Sequence, residues 1–427
     1  MARHAVGLAV AGLVFAGCGA QAAATARWSA PVTVIRPFAY ADAAGSASGT
    51  EAFVWQVETN RSLNGVPIGF IRARLRLPGG RLTPTQTISR TDQVAMAASV
   101  RLDAAGNATA VWIGGDNLRT NHIMVAVRPR DGRFGTPVAV ADSGITAPAL
   151  AVAADGAAVL AWSSDYGHTE AVMRSPGRCA DGQARGCFGA VRTFEGGGDL
   201  ALTLGPAGSA YLAWPGRRGG VAVAVAARGA QFGAPRTTPA AVSGQPAVAV
   251  RDDGSAVVAW RASQVSSEES NRWAPIRAAV LDPRGRLSAP QTLSRADGDA
   301  PRIAVNRQGE AIVLWEQRSR NGVRLAAAIG RVGQQFGAPV ELSPPSEEQD
   351  VNGSLVADRR GDVVLVYDHD GGVFARVRRP GATFAAATRL NPRATDGTLA
   401  APVIAAARKI TAVWGARTGT QLSDWTP

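Results

Sequence analysis

The stretch Asp103-Ala104-Ala105-Gly106-Asn107-Ala108-Thr109-Ala110-Val111-Trp112 decides the reading of this chain. An acidic residue and a glycine bracket a turn, and a run of small and β-branched residues follows, closed by a tryptophan. The glycine supplies a positive φ without steric cost, and the run after it suits a short strand with close neighbours. The Gly-to-Trp interval of six residues recurs at Gly49/Trp55, Gly106/Trp112, Gly156/Trp162, Gly208/Trp214, Gly254/Trp260 and Gly309/Trp315. Gly361/Tyr367 keeps it with tyrosine, and Trp414 marks a further copy in which Arg408-Lys409 replaces the glycine turn. Successive aromatics lie 57, 50, 52, 46, 55, 52 and 47 residues apart. A period of roughly fifty belongs to radial sheet repeats, not to helical arrays.

Each unit reads as four short strands. In the third, Pro148–Ala153 is a first strand, Ala154-Asp155-Gly156 turns the chain, and Ala157–Trp162 is the second. Glu170–Arg174 is the third strand, and a fourth begins near Phe188. Elsewhere the approach to the fourth strand carries proline, as in Gly132-Arg133-Phe134-Gly135-Thr136-Pro137-Val138 and Gln335-Phe336-Gly337-Ala338-Pro339-Val340. Proline cannot donate to a ladder, so this strand should be an edge. The two ends of the chain are complementary. Arg27-Trp28-Ser29-Ala30-Pro31-Val32 has the final-strand pattern with no strands before it, whereas the last unit offers Ala401–Ala407, Ile410–Trp414 and Gln421–Trp425 with no fourth. The expected fold is an all-β propeller of eight blades over residues 23–427, closed by the N-terminal strand; seven blades is the alternative. The repeated tryptophan reads as packing between blades, because a residue needed once per blade is structural by its repetition.

The pattern Asp-x-x-Gly-x-Ala-x-x-x-Trp resembles repeats of exported bacterial β-propeller proteins, most of them functionally uncharacterised. The resemblance covers about residues 27–425 and implies the fold, with no particular activity. Sialidase Asp-boxes place tryptophan three residues after glycine, where this chain has six. Quinone-dependent dehydrogenase propellers carry adjacent cysteines, absent here.

Composition narrows the function classes. The chain has 427 residues, 46% hydrophobic and 18% charged, with 49 Gly and 25 Pro, which excludes a coiled coil and argues against a helix-rich enzyme. The formal net charge of +12 suggests nucleic acid at first sight. However, Lys409 is the single lysine, the arginines are scattered, and no basic run occurs, so no specific nucleic-acid partner is expected. Residues 1–22 read as a signal peptide: Arg3 and His4, an apolar run Ala5–Gly17, and Ala20-Gln21-Ala22 as a cleavage site. Val14-Phe15-Ala16-Gly17-Cys18 also resembles a bacterial lipobox in which Cys18 is acylated. Either way the protein is expected outside the cytoplasm, secreted or on the envelope, with no transmembrane segment after signal removal. Cys179 and Cys187 bound a short loop and are expected to form a disulfide.

Any site is expected on the face carrying the loops between second and third strands, which vary most: Gln56–Pro67, Gly114–His122, Ser263–Trp273 and Asp368-His369-Asp370. Arg217, Arg218, Arg261, Arg318 and Arg320 lie in such loops of consecutive blades and form a candidate anion-binding arc. Asp165, His168, Asp368 and Asp370 are further ligand candidates, and Asp199, Asp299 and Asp350 precede inner strands near the channel mouth. Beyond His4 of the leader, the histidines His122, His168 and His369 fall one per unit, which speaks against a metal centre, and no cofactor motif or nucleophile elbow occurs. The expected function is a non-enzymatic binding or scaffolding module for a protein or polysaccharide of the envelope or extracellular space. The alternative is a glycan hydrolase or lyase using paired carboxylates such as Asp165, Glu268 or Asp368.

Overall fold

The computed structural model describes residues 27–63, 66–116, 121–142, 146–164, 167–177, 187–239, 245–262, 273–295, 297–347, 351–358, 360–392, 398–406 and 409–426. The leader, Cys18, Asp165, Cys179, Glu268 and Asp350 lie outside them. Within the described residues there is no helix, and the strands form eight antiparallel sheets, each a blade of a propeller. The innermost strands are Ala41–Gly45, Val94–Leu102, Ala149–Val152, Ala201–Leu204, Ala247–Val250, Gly298–Val305, Gly353–Ala357 and Thr398–Ala406, in blades 1 to 8. Seven blades are built from consecutive strands. Blade 8 takes Thr398–Ala406, Lys409–Ala416 and Gly419–Thr426 from the C-terminus and completes its sheet with Arg27–Trp28 and Val32–Ile35 from the N-terminus. Trp28 lies opposite Trp425, and Val32 opposite Leu422.

The turn between first and second strands explains the glycine of the repeat. Gly106 has φ 95°, and the Asp103 carboxylate accepts from the backbone N–H of Gly106 at 2.9 Å and of Asn107 at 2.8 Å. Asn306 and Asp358 make the same kind of cap in blades 6 and 7. The second strand then runs through the middle of its sheet, buried on both faces, and delivers the aromatic into the gap between blades. Trp112, Trp162, Trp214, Trp260, Trp315 and Trp414 are all fully buried. Around them alanine and valine keep neighbouring sheets close, as with Ala259, Ala278, Ala311 and Ala326 beside Trp315.

Polar contacts tie the outer strands of adjacent blades. Gln86 donates to the Phe134 carbonyl at 2.8 Å and accepts from the Phe134 N–H at 3.0 Å. Gln291 repeats this with Phe336 between blades 5 and 6, at 2.9 and 2.8 Å. The seam between blades 8 and 1 carries charge instead. Arg76 binds Asp424 at 2.7 Å and Glu51 at 3.1 Å, and Lys409 binds the same two carboxylates at 3.3 and 2.9 Å. Between blades 6 and 7, Arg378 makes a two-pronged pair with Glu310 at 3.0 and 3.1 Å.

Two sequence expectations need correction. Gln56–Pro67 is not a loop: Glu51–Leu63 and Val66–Arg76 pair as a long hairpin extending beyond the blade. Val57, Thr59, Ile68 and Phe70 have strand propensity, and the Thr59 hydroxyl donates to the Ile68 carbonyl across an irregular step. The Asn64-Gly65 dipeptide was the available hairpin signal. The fourth strand of blade 3 is Arg192–Glu195; Phe188 makes only an isolated bridge to Arg174. The Phe-Gly segment thus approaches the edge, and the ladder resumes after it.

Two outcomes follow from this packing. Trp260→Ala is expected to lower unfolding free energy by about 3–5 kcal/mol through the cavity it leaves, measured by urea denaturation; an unchanged midpoint contradicts the packing role. The Glu310 carboxyl is held below its ordinary value of 4.5, chiefly by the Arg378 hydrogen bonds acting against burial. Asp424 is likewise held low: burial pushes it up, but the hydrogen bonds from Arg76 and Thr411 and the charge of Lys409 outweigh it. A depressed carboxyl contributes stability above its unfolded value and loses it as pH falls through the folded one. The thermal midpoint is therefore expected to drop as pH falls below about 4.5, and Glu310→Gln should be less stable at neutral pH with a shallower acid limb.

Candidate functional site

The connection that carries the chain from blade 8 into blade 1 is residues 36–40, Arg-Pro-Phe-Ala-Tyr. It crosses the face that also holds the ends of the second strands. Thr420 fixes it by donating its hydroxyl to the Ala39 carbonyl at 2.7 Å. Phe38 lies against the backbone of Gly415, where any side chain would collide with its ring. Tyr40 meets Phe38 edge-to-face, with ring centroids 4.8 Å apart and planes at 76°. Such a T-shaped pair holds both rings in one arrangement. Tyr40 is nevertheless 63% exposed, the most exposed large hydrophobic side chain among the described residues. The repeated tryptophans are buried, whereas this ring is open.

Phe38 and Tyr40 line a cavity of roughly 790 Å³ at the seam between blades 8 and 1. Its apolar wall is Trp55, Val57 and Trp414; Ala97 and Ala98 close it from blade 2. Ala97 has φ 54°, and the ladder between the first two strands of blade 2 shifts between Met96 and Ser99. That bulge turns the inner strand at the cavity edge. Gln56, Glu58, Arg36 and Arg72 supply polar groups. Arg36 and Glu58 are exposed and have no charged partner among the described residues. The Arg72 guanidinium sits over the Phe70 ring at 5.1 Å. Asp42, by contrast, is engaged: it accepts from the Val100 N–H and from Arg101, each at 2.8 Å. An apolar cavity with a few convergent polar groups is the usual form of a small-ligand site.

The residues singled out from sequence lie elsewhere. Arg217 pairs with Glu195 at 3.4 Å on the surface, and Arg261 pairs with Asp299 at 3.3 Å. Arg218, Arg318 and Arg320 are exposed. His168 is half-buried at the start of a strand, opposite Glu195. Asp368 is 6% exposed and accepts from both the backbone and side-chain N–H groups of Asn352, at 2.7 and 3.1 Å. Asp370 has φ 47° in the tight turn before Gly371 and accepts from the Ser346 hydroxyl at 2.7 Å. Both therefore tie their hairpin to the connection between blades 6 and 7. None of these described residues lines the cavity at the seam. No group of three or more His, Cys, Asp or Glu able to hold a metal occurs among the described residues. Cys187 is buried in the blade 2–3 core.

What sequence reasoning missed is the connection itself. Aromatic residues are 6% of the chain, yet two of them occur within three positions at Phe38 and Tyr40, in a segment between strands. Gly415 was a second signal: it follows Trp414 where other units have Gln56, Ile113, Ser163 or Arg261.

The chain matches no protein-family model and no curated protein sequence. Among solved structures it is similar to the BP39L lectin from Burkholderia pseudomallei, with a TM-score of 0.54 and 14% identity over 83% of this chain and 99% of the lectin. It is also similar to the polysaccharide lyase Uly1, with a TM-score of 0.50 and 10% identity over 93% of this chain and 99% of the lyase. At such identities the likeness establishes the propeller fold alone. No helix among the described residues is long and apolar enough to cross a membrane.

Proposed function

We propose that this propeller is a saccharide-binding module whose site is the cavity between blades 8 and 1. The Phe38–Tyr40 pair, with Tyr40 exposed against a half-buried Phe38, carries the proposal. A pyranose ring presents a face of C–H bonds, which an aromatic face covers, and a rim of hydroxyls, which needs planar donors and acceptors. Arg36, Gln56, Glu58 and Arg72 provide that second requirement around the same cavity. That one structure of similar fold is a lectin and another a polysaccharide lyase agrees with this reading.

Binding is favoured over turnover by the state of the carboxylates. Glycoside hydrolysis generally uses two. At the cavity Asp42 is committed to Val100 and Arg101, which leaves Glu58 alone. The protein acts outside the cytoplasm in this reading, with residues 1–22 removed or Cys18 lipidated, and with Cys179 and Cys187 joined.

Arrayed oligosaccharides test the proposal, followed by titration of the best binder against tryptophan fluorescence. Tyr40→Ala is expected to weaken binding at least about tenfold, or 1.4 kcal/mol, with the fold intact. Gly415→Ala, which displaces Phe38, should weaken it comparably. Oligosaccharide cleavage, or binding unaffected by either change, contradicts the proposal.

A further inference from the structure

A second cavity lies at the rim between blades 1 and 2, on the far side of the sheets from the aromatic site. It measures roughly 300 Å³, at the small end for ligand cavities. Arg81, Arg128, Arg130 and Arg133 line it, with Asp131 as the one acid. Asp131 is almost wholly exposed and approaches Arg130 only to 3.9 Å.

Arg128 is the unusual member. It occupies a repeated position, opposite the start of the second strand in its blade: Arg76 faces Glu51, Arg128 faces Ala108, Arg174 faces Ala158, and Arg378 faces Val363. At three of these positions the side chain reaches the preceding blade. Arg76 finds Asp424 in blade 8, Arg174 finds the Thr109 hydroxyl in blade 2, and Arg378 finds Glu310 in blade 6. Arg128 is 6% exposed, and its recorded partner is the Arg130 carbonyl at 2.7 Å. Among the described acids of blade 1, Glu51 is taken by Arg76 and Lys409, Asp42 by Arg101 and the Val100 N–H, and Glu58 borders the other cavity. A buried guanidinium does not shed its proton, and burying a charge without a counter-charge is costly. Burial lowers the Arg128 pKa, and Asp131 only partly offsets this.

We infer that the cleft between blades 1 and 2 binds the oxyanion of an acidic saccharide, a carboxylate or sulfate ester, on Arg128 with Arg81 and Arg133. Guanidinium groups suit both anions through paired N–H donors. Leu77, Pro84 and Phe134 give the cleft an apolar side against which the rest of a sugar unit can lie. The site is separate from the aromatic cavity and does not depend on it.

The test titrates the whole chain with oligogalacturonate, a sulfated oligosaccharide and neutral dextran. The acidic ligands are expected to bind, and the double variant Arg81→Ala/Arg133→Ala, whose side chains are exposed, is expected to weaken them at least about tenfold. Binding of only one acidic ligand assigns the oxyanion as carboxylate or sulfate. The control Arg284→Ala/Arg379→Ala removes two exposed charges elsewhere and should leave affinity unchanged. The loss caused by Arg81→Ala/Arg133→Ala is expected to be the same in a Tyr40→Ala background, so failure of the aromatic site is read separately. Equal loss in the two double variants would mean attraction to net charge only, and would overturn the inference. So would acidic ligands that bind no better than dextran, or that ignore Arg81→Ala/Arg133→Ala.

Discussion

The ring of this propeller closes because its last sheet is finished by its first strands. Everything else in this molecule depends on that pairing. Arg27–Trp28 and Val32–Ile35 lie against Gly419–Thr426, so the two ends of the chain share one sheet. Unpaired, those strands would present open ladders and invite association. The seam is also where the ordinary repeat is suspended. Lys409, the only lysine of the chain, joins Arg76, Glu51 and Asp424 across it. Charge replaces the Gln–Phe exchange that joins blades 1 and 2 and blades 5 and 6. The same seam forces the chain to cross from blade 8 to blade 1 through residues 36–40, and that crossing carries Phe38 and the exposed Tyr40. Closure and the candidate site are thus products of one constraint.

The fold was legible because its determinants are local and repeated. The Gly106 turn needs positive φ, the strand after it needs small residues, and Trp112 fills a gap that every blade interface recreates. Each unit states the same physics again, so periodicity alone exposes it. The complementary ends were legible for a similar reason: Trp28 stands in a fourth-strand pattern and Trp414 in a unit that lacks one. The long hairpin of blade 1 was less so, because an irregular step between Glu58 and Ser62 blurs its alternation.

The site was not legible, and the reason is physical. Charge drew attention to residues of blades 3 to 7, where Asp368 and Asp370 turn out to hold Asn352 and Ser346 of the connection between blades 6 and 7. Abundant arginine made an arc easy to imagine, whereas Arg217 and Arg261 meet acids nearby. The aromatic cavity joins Phe38 and Tyr40 to Trp414 and Gly415, residues some 375 positions apart that only ring closure brings together. The Arg128 cleft is hidden in another way. Its meaning lies in a missing partner, visible only when Arg76 and Arg378 show what that position elsewhere finds.

Closure can be read directly with Arg27→Cys/Thr426→Cys, placed at directly opposed positions of the shared sheet. Paired residues in adjacent strands lie close enough for a disulfide. The account predicts that the intact chain forms this bond under mild oxidation, seen by mass spectrometry, and that its thermal midpoint rises over the reduced form. Thiols that stay free, or that link only between molecules, would contradict a ring closed by its own termini.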